Sequence, residues 1–185
     1  TQSRSSAASD VYKRQEYVRG LRKNILNDKP IIGNYNVNNE GSSDMYYKGA
    51  NMLHTIRQII NNDDKWRSIL RGMNSTFYHQ TVSTMQIEDY ISTAAGVDFS
   101  KVFDQYLRDV RIPTLEYYSQ DGNLVFRWAN AVADFDMPVK VIIDSREQWL
   151  KPTTNWNSMA VSKAGINLTI DPNFYVAGFD ITKEN

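Results

Sequence analysis

Few residues of this 185-residue chain could carry out chemistry, and their spacing limits what that chemistry could be. The chain has no cysteine, which excludes disulfides, thiolate metal sites and cysteine nucleophiles. His54 and His79 do not form the i, i+4 pair of a helical zinc site, so we expect polar surface or helix-packing positions for both. Glu88 and Asp89 are adjacent, and because neighbouring side chains on a helix point apart, we expect a solvated face rather than an acid–base pair. The sequence contains neither a glycine-rich phosphate loop nor a serine nucleophile elbow.

The most distinctive polar segment, Tyr46-Tyr47-Lys48-Gly49-Ala50, opens the most strongly predicted helix of the chain. Ser42 or Ser43 is expected to cap this helix. Its apolar residues recur at the 3.6-residue period and predict one buried stripe: Met45, Met52, Leu53, Ile56, Ile59 and Ile60. On this pattern alone, a tyrosine in the first turn is a half-buried core residue.

Other helices must surround this one. The pattern predicts a first helix over Glu16–Asn27 that stops before Pro30, and an ordered loop over Ile31–Gly41. Three more helices are expected before Pro113. They are a third helix capped within Asn61–Asp64 that buries Trp66, Ile69, Leu70, Met73 and Phe77; a short fourth opened by a Ser83-x-x-Gln86 capping box; and a fifth capped by Asp98 that carries Val102, Phe103, Tyr106 and Leu107.

From Thr114 onward, short β-rich runs alternate with turn residues. Asp121-Gly122-Asn123 is typical of a hairpin turn, because Asp-Gly readily adopts positive φ. Seven strands are predicted: Leu115–Tyr118, Leu124–Trp128, Val139–Ile143, Gln148–Leu150, Asn155–Met159, Ile166–Ile170 and Phe174–Val176. The expected fold class is therefore α+β, with helices followed by a small antiparallel β-sandwich.

The charge balance excludes some classes of partner. The 21 basic and 21 acidic residues offer no clustered positive footprint, so neither a nucleic-acid partner nor a polybasic membrane contact is expected. No apolar run reaches the roughly 18 residues of a membrane span. The oligomeric state has no signal in the sequence.

The first fifteen residues are set apart from the fold. The segment from Ser5 to Gln15 resembles the in-frame translation of a sequencing-library adapter, although a natural disordered leader has a similar composition. We therefore expect three regions: a leader over 1–15, a helical region over 16–112 and a β region over 113–185. A chain that starts in an adapter is expected to start within a gene.

The segment Tyr46-Tyr47-Lys48-Gly49-Ala50 resembles the Tyr-x-Lys-Gly-Ala signature of the zinc aminopeptidases related to aminopeptidase N and leukotriene hydrolase, in their bacterial form. Further segments match that family's pattern in order along the chain. They are Leu70-Arg71, Tyr78, Thr81-Val82-Ser83-Thr84, Gly96-Val97-Asp98, Phe103-Asp104-Gln105-Tyr106-Leu107 and Ile112-Pro113. The resemblance extends from about Glu16 into the β region. It implies that residues 16–112 are the helical end of a thermolysin-like catalytic domain, followed by the family's β-sandwich.

The resemblance assigns a catalytic role to Tyr46. In the family, this tyrosine donates a hydrogen bond to the oxyanion that forms when zinc-bound water attacks the scissile carbonyl. A phenol has a pKa near ~10 and stays protonated at neutral pH, so it can act as a donor. Tyr47 is the competing assignment. We expect a structural contact for Lys48, and we expect Gly49 to let a neighbouring segment approach the helix closely.

The family also binds zinc through a His-Glu-x-x-His helix and a later Glu, and neither element is present in this sequence. We therefore expect the chain as given to bind no catalytic zinc and to hydrolyse nothing. The complete enzyme would hold zinc and remove N-terminal residues from peptide substrates. The alternatives are a non-catalytic peptidase-like scaffold and an independent protein-interaction module.

Overall fold

A computed structural model of the chain describes residues 12–33, 41–161 and 166–184. Residues 1–11 of the predicted leader, and most of the predicted loop over Ile31–Gly41, lie outside the described residues. Residues 12–15 are helical, so the first helix starts earlier than the predicted Glu16. Among the described residues, no helix combines the length and hydropathy that crossing a membrane requires.

The helices precede all the strands. A first helix, α1 (residues 12–20), ends in a 3₁₀ turn over Leu21–Asn24, which is shorter than the predicted helix to Asn27. The next four helices are α2 (Asp44–Ile60), α3 (Asp63–Thr76), α4 (Thr84–Ala95) and α5 (Ser100–Phe103), and a π-helical segment over Asp104–Arg108 continues α5.

Local capping signals fix the helix ends. The Asn62 side chain accepts a hydrogen bond from the backbone N–H of Lys65 at 2.9 Å and so caps α3. Ser83 and Gln86 form the predicted capping box of α4, with both reciprocal bonds present. The Asp98 carboxylate accepts from the N–H of Ser100 at 2.8 Å, at the start of α5. The predicted caps of α3 and α4 are confirmed. Phe99 rather than Asp98 directly precedes α5 and its side chain makes no capping bond, so the Asp98 bond belongs to the turn that leads into the helix.

Two sheets follow the helices. Their strands are β1 (Thr114–Gln120), β2 (Asn123–Ala129), β3 (Val139–Ile143), β4 (Arg146–Leu150), β5 (Asn157–Ala160), β6 (Leu168–Ile170) and β7 (Ala177–Asp180), and a 3₁₀ turn over Ile181–Glu184 comes last. One sheet has the order β5-β2-β1-β7, and the other has the order β4-β3-β6. The predicted α+β class is confirmed. The first sheet is mixed rather than antiparallel, because β7 pairs with β1 in parallel.

The predicted strand over Phe174–Val176 is wrong, and the hydrogen bonds of its backbone explain why. The N–H of Phe174 donates to the carbonyl of Asp171 in a turn. The N–H of Tyr175 donates to Thr55 Oγ1 on α2 at 3.1 Å. These two amides are therefore not available for a strand ladder, and β7 starts only at Ala177.

One hydrophobic core joins the helices to both sheets. It includes Ile56 of α2, Phe103 of α5, Leu115 of β1 and Val141 of β3, all of them buried. The buried Gln105 links the two regions through hydrogen bonds, since its side chain donates to the carbonyl of Arg111 and accepts from the N–H of Val132.

Candidate functional site

Helix α2 carries the candidate tyrosine, and its buried face is more polar than the sequence pattern predicts. Asp44, Lys48, Asn51 and Thr55 are buried at helical spacing, beside the apolar Met52 and Ile56. Met45 and Leu53, which were predicted to be buried, are 44% and 38% exposed. The buried face is therefore rotated toward the polar residues, because these residues find hydrogen-bond partners elsewhere in the fold.

The Asp44 carboxylate holds the first turn of α2. It accepts hydrogen bonds from the backbone N–H groups of Leu26 at 2.8 Å and Asn27 at 2.7 Å. Ser43 is the residue that precedes the helix, but its side chain makes no capping bond. Instead, Ser42 Oγ accepts from the N–H of Asp44 at 3.2 Å and donates to Asp28 at 2.9 Å. The chain before α2 is thus fixed by carboxylate and hydroxyl groups.

Lys48 makes a structural contact, as predicted. Its Nζ donates to the backbone carbonyl of Asp109 at 2.7 Å, and the side chain is only 1% exposed. Burial lowers the pKa of the Lys48 ammonium, and the carboxylates of Asp44 and Asp109 partly oppose that shift. Lys48 therefore connects α2 to the segment that follows the π-helical turn.

Tyr46 lies between these two anchors and is exposed. It is 71% exposed, whereas Asp44 and Lys48, two residues away on either side, are 0% and 1% exposed. Among the described residues, no side chain or backbone group forms a hydrogen bond with the Tyr46 hydroxyl. Tyr47 is half-buried, and its carbonyl accepts a bond from Asn51 Nδ2. Of the two tyrosines, Tyr46 presents its phenol more fully to a ligand.

The prediction for Gly49 is wrong for the part of the chain that the structure describes. A Cβ built at Gly49 meets no described atom within 4 Å. Gly49 is half-exposed. No described segment therefore packs against the helix at the place where a side chain would be.

Neither histidine joins a metal-binding group with other residues that the structure describes. His54 is buried and pairs with Asn173 Oδ1 at 3.2 Å, which confirms a helix-packing position. Burial lowers the pKa of His54. His79 is exposed and contacts the ring of Tyr78 edge-on. Within residues 12–33, 41–161 and 166–184, no three His, Asp or Glu side chains are grouped so that they could hold a metal ion.

Glu88 differs from the expected solvated face. Its carboxylate pairs with Arg108 at 2.8 Å, and its side chain is 15% exposed. Arg108 belongs to the π-helical segment, and its guanidinium also pairs with Asp104, four residues earlier, at 3.3 Å. Asp89 is exposed, as expected. The two carboxylates therefore point apart, and the ion pair of Glu88 joins α4 to the π-helical segment.

A cavity of about 300 Å³ lies elsewhere, where Arg22 meets the ends of β6 and β7. Its walls include Asp171 and Phe174, and Tyr46 is not among its lining residues. The Nε of Arg22 donates to Asn51 Oδ1 at 2.8 Å, so its guanidinium contributes to holding α2.

Asp44, Asn51 and Tyr175 support the site, and none of the three stands in a motif that indicated this role. The available signal was the spacing of Asp44, Lys48 and Asn51, which places all three on one helix face. From the sequence, a structural contact is predicted for Lys48 alone, and nothing is predicted for the burial of Asp44 or Asn51. Tyr175 was assigned to a strand and had no signal that connected it to α2.

Comparisons with known proteins add a likeness of fold. No protein-family model matches the sequence, and neither does any curated protein. Among solved structures, the chain is similar to Legionella pneumophila aminopeptidase A, crystallised in complex with aspartic acid, with a TM-score of 0.55 and 12% sequence identity. The likeness covers 74% of this chain and 18% of that chain, so this chain matches less than a fifth of the aminopeptidase's length. The two chains share a fold over that portion.

Proposed function

We propose that this chain is part of a zinc aminopeptidase of the aminopeptidase N and leukotriene hydrolase family, which removes N-terminal amino acids from peptides. Within that enzyme, residues 16–112 would form the helical end of a thermolysin-like catalytic domain and residues 113–185 its β-sandwich. The ordered motifs from Tyr46-Tyr47-Lys48-Gly49-Ala50 to Ile112-Pro113 support this family, and the fold shared with an aminopeptidase is consistent with it.

The exposure of Tyr46 on a fixed helix is the observation that carries the proposal. Asp44 and Lys48 are buried and hydrogen-bonded to distant backbone groups, so the turn between them has a fixed orientation. The phenol of Tyr46 leaves that turn without a described partner. A phenol that extends from a fixed turn and has no described protein partner is suited to stabilise an oxyanion, because no bond to a described residue must break when the negative charge develops.

Zinc does not fit the residues that the structure describes, since none of their His, Asp and Glu side chains form a group able to hold it. In the proposed enzyme, the zinc ligands would belong to a part of the protein outside this sequence, where the metal would activate the attacking water. The role proposed for this chain is therefore limited to Tyr46, whose hydroxyl donates its proton in a hydrogen bond to the carbonyl oxygen as that oxygen becomes negative.

Two matched variants test the proposal in the complete protein that contains this chain. We expect Tyr46→Phe to lower kcat on an aminoacyl p-nitroanilide about a hundredfold or more, the typical loss for one oxyanion donor. Tyr47→Phe removes the neighbouring hydroxyl from the same helix and is expected to retain most of the activity. Because Tyr46 is 71% exposed, its substitution should leave the thermal unfolding midpoint unchanged.

The outcomes separate the candidate functions. A complete protein that releases p-nitroaniline and loses this activity in Tyr46→Phe supports the aminopeptidase. Activity retained by Tyr46→Phe but lost in Tyr47→Phe would transfer the role to the neighbouring tyrosine. A folded complete protein with no peptidase activity and no bound zinc would instead support the non-catalytic scaffold.

A further inference from the structure

We propose that Tyr175 is a positioning residue for Tyr46, holding the N-terminal turns of α2 from their buried side. The inference rests on the proposed function for the role of Tyr46, whereas the contacts between Tyr175 and α2 are independent of it. Tyr175 belongs to the connection between β6 and β7 and is only 7% exposed. The β region would therefore take part directly in fixing the candidate catalytic helix.

The backbone around Tyr175 binds the middle of α2. The N–H of Tyr175 donates to Thr55 Oγ1 at 3.1 Å, and Thr55 Oγ1 donates to the carbonyl of Asn51 at 2.9 Å. Two residues before Tyr175, Asn173 pairs with His54 through Oδ1 at 3.2 Å. Two consecutive residues of α2 are thus hydrogen-bonded to one short loop more than a hundred residues further along the chain.

The side chain of Tyr175 reaches the start of α2 through one intermediate residue. Asn27 Nδ2 donates to the Tyr175 hydroxyl at 3.1 Å. The backbone N–H of the same Asn27 donates to Asp44 at 2.7 Å, and Asp44 is the first residue of α2, two positions before Tyr46. The Tyr175 hydroxyl is therefore two hydrogen bonds away from the helical turn that carries Tyr46.

Tyr175 is itself held firmly, as a positioning group must be. The buried hydroxyl of Tyr106 donates to the Tyr175 carbonyl at 2.6 Å, and the two rings lie 5.9 Å apart. The guanidinium of Arg22 lies over the Tyr175 ring, 5.4 Å from its centroid, while its Nε donates to Asn51 of α2. Burial raises the pKa of the Tyr175 phenol, so its hydroxyl stays neutral at physiological pH. The ring thus joins three segments in one polar cluster.

Amide hydrogen exchange on the 185-residue chain tests the proposal and does not require an active enzyme. Tyr175→Phe keeps the ring and the backbone bonds but removes the bond from Asn27. We expect the amides of Leu26, Asn27 and Tyr46 to exchange about fivefold to tenfold faster, which corresponds to the loss of one hydrogen bond. Tyr117→Phe is the matched control, because its hydroxyl donates to the carbonyl of Leu168 within the β region.

A second variant removes the same link from the other end. Asn27 adopts a φ of +50°, so Asn27→Gly keeps its backbone conformation while deleting the side chain that joins Tyr175 to Asp44. We expect the same local increase in exchange. The proposal is wrong if both variants leave these amides unchanged, or if they raise exchange evenly along the chain as a general loss of stability would.

Kinetics in the complete protein separate this proposal from the proposed function. If both hold, Tyr175→Phe lowers kcat and leaves KM unchanged, because the donor is displaced while the rest of the substrate site is intact. If Tyr175→Phe changes local exchange but Tyr46→Phe leaves kcat unchanged, Tyr175 positions α2 and the role of Tyr46 is refuted. If Tyr46→Phe is inactive and Tyr175→Phe keeps both kcat and local exchange, the positioning role is refuted alone.

Discussion

The buried ammonium of Lys48 gives the sharpest test of how α2 is anchored. Lys48→Met keeps the length and packing of the side chain but removes its charge and its bond to the Asp109 carbonyl at 2.7 Å. A hydrogen bond to a charged group contributes about 1.5–3 kcal/mol to stability. Lys48 is only 1% exposed, so the bond is lost at a side chain that has almost no contact with water. We therefore expect the free energy of unfolding to fall by about 1.5–3 kcal/mol.

A matched lysine on α3 provides the control. Lys65 also donates its Nζ to a backbone carbonyl, that of Ala95 at 2.6 Å, but the residue is exposed. Because the ammonium of Lys65 is exposed, its bond to Ala95 forms in competition with water, so Lys65→Met should cost less than about 1 kcal/mol. The two substitutions change the same atoms, and the two sites differ mainly in the burial of the lysine side chain.

Urea unfolding followed by tryptophan fluorescence measures both variants against the unmodified chain. Lys48→Met should lower the midpoint at an unchanged m-value, and its thermal midpoint should fall by about 3–12 °C. The reasoning is refuted if Lys48→Met is as stable as the unmodified chain, or if it loses no more stability than Lys65→Met. Either result would mean that the contact at Asp109 does not anchor α2.

Two further predictions concern ionisable groups near the helix junctions. Because burial lowers the folded-state pKa of His54 below its ordinary value of 6.5, the unfolded chain binds more protons as the pH falls, so stability should decline below about pH 6.5. Urea midpoints measured between pH 7 and pH 5 should show a weaker decline in His54→Gln, whereas His79→Gln should keep the full decline. Glu88→Gln should cost about 1 kcal/mol through its ion pair with Arg108, and the exposed neighbour Asp89→Asn should change stability by less than about 0.5 kcal/mol in the same assay.

Elements set by neighbouring residues could be predicted from the sequence. The capping box of α4 and the Asn62 cap of α3 each involve residues three positions apart. The hairpin turn needs only Asp121 and Gly122, which adopt φ values of +49° and +74°. In each case the residues that form the cap or the turn are at most three positions apart, so the local sequence is enough to predict the structure.

The polar anchors of α2 could not be predicted in the same way. The helical period of the apolar residues leaves Asp44 and Lys48 out of the predicted buried stripe. Their burial is favourable only because hydrogen-bond partners from other segments lie beside them. Those partners lie 17, 18 and 61 residues away along the chain, and the bond between Asn27 and Tyr175 spans 148 residues. The parallel pairing of β7 with β1 is likewise a long-range contact, since it places Thr114 opposite Ala177.

The kind of contact that holds α2 bears on what the helix does. Apolar packing is non-directional and tolerates small rotations of a helix about its axis. Hydrogen bonds from buried groups weaken steeply when their angle changes, so Asp44, Lys48 and Thr55 fix the rotation of α2 as well as its position. Burying a carboxylate and an ammonium costs solvation energy that an apolar face would not. The fixed rotation of α2 sets the direction in which the exposed phenol of Tyr46 leaves the helix, and the proposed role of Tyr46 as an oxyanion donor requires such a fixed direction.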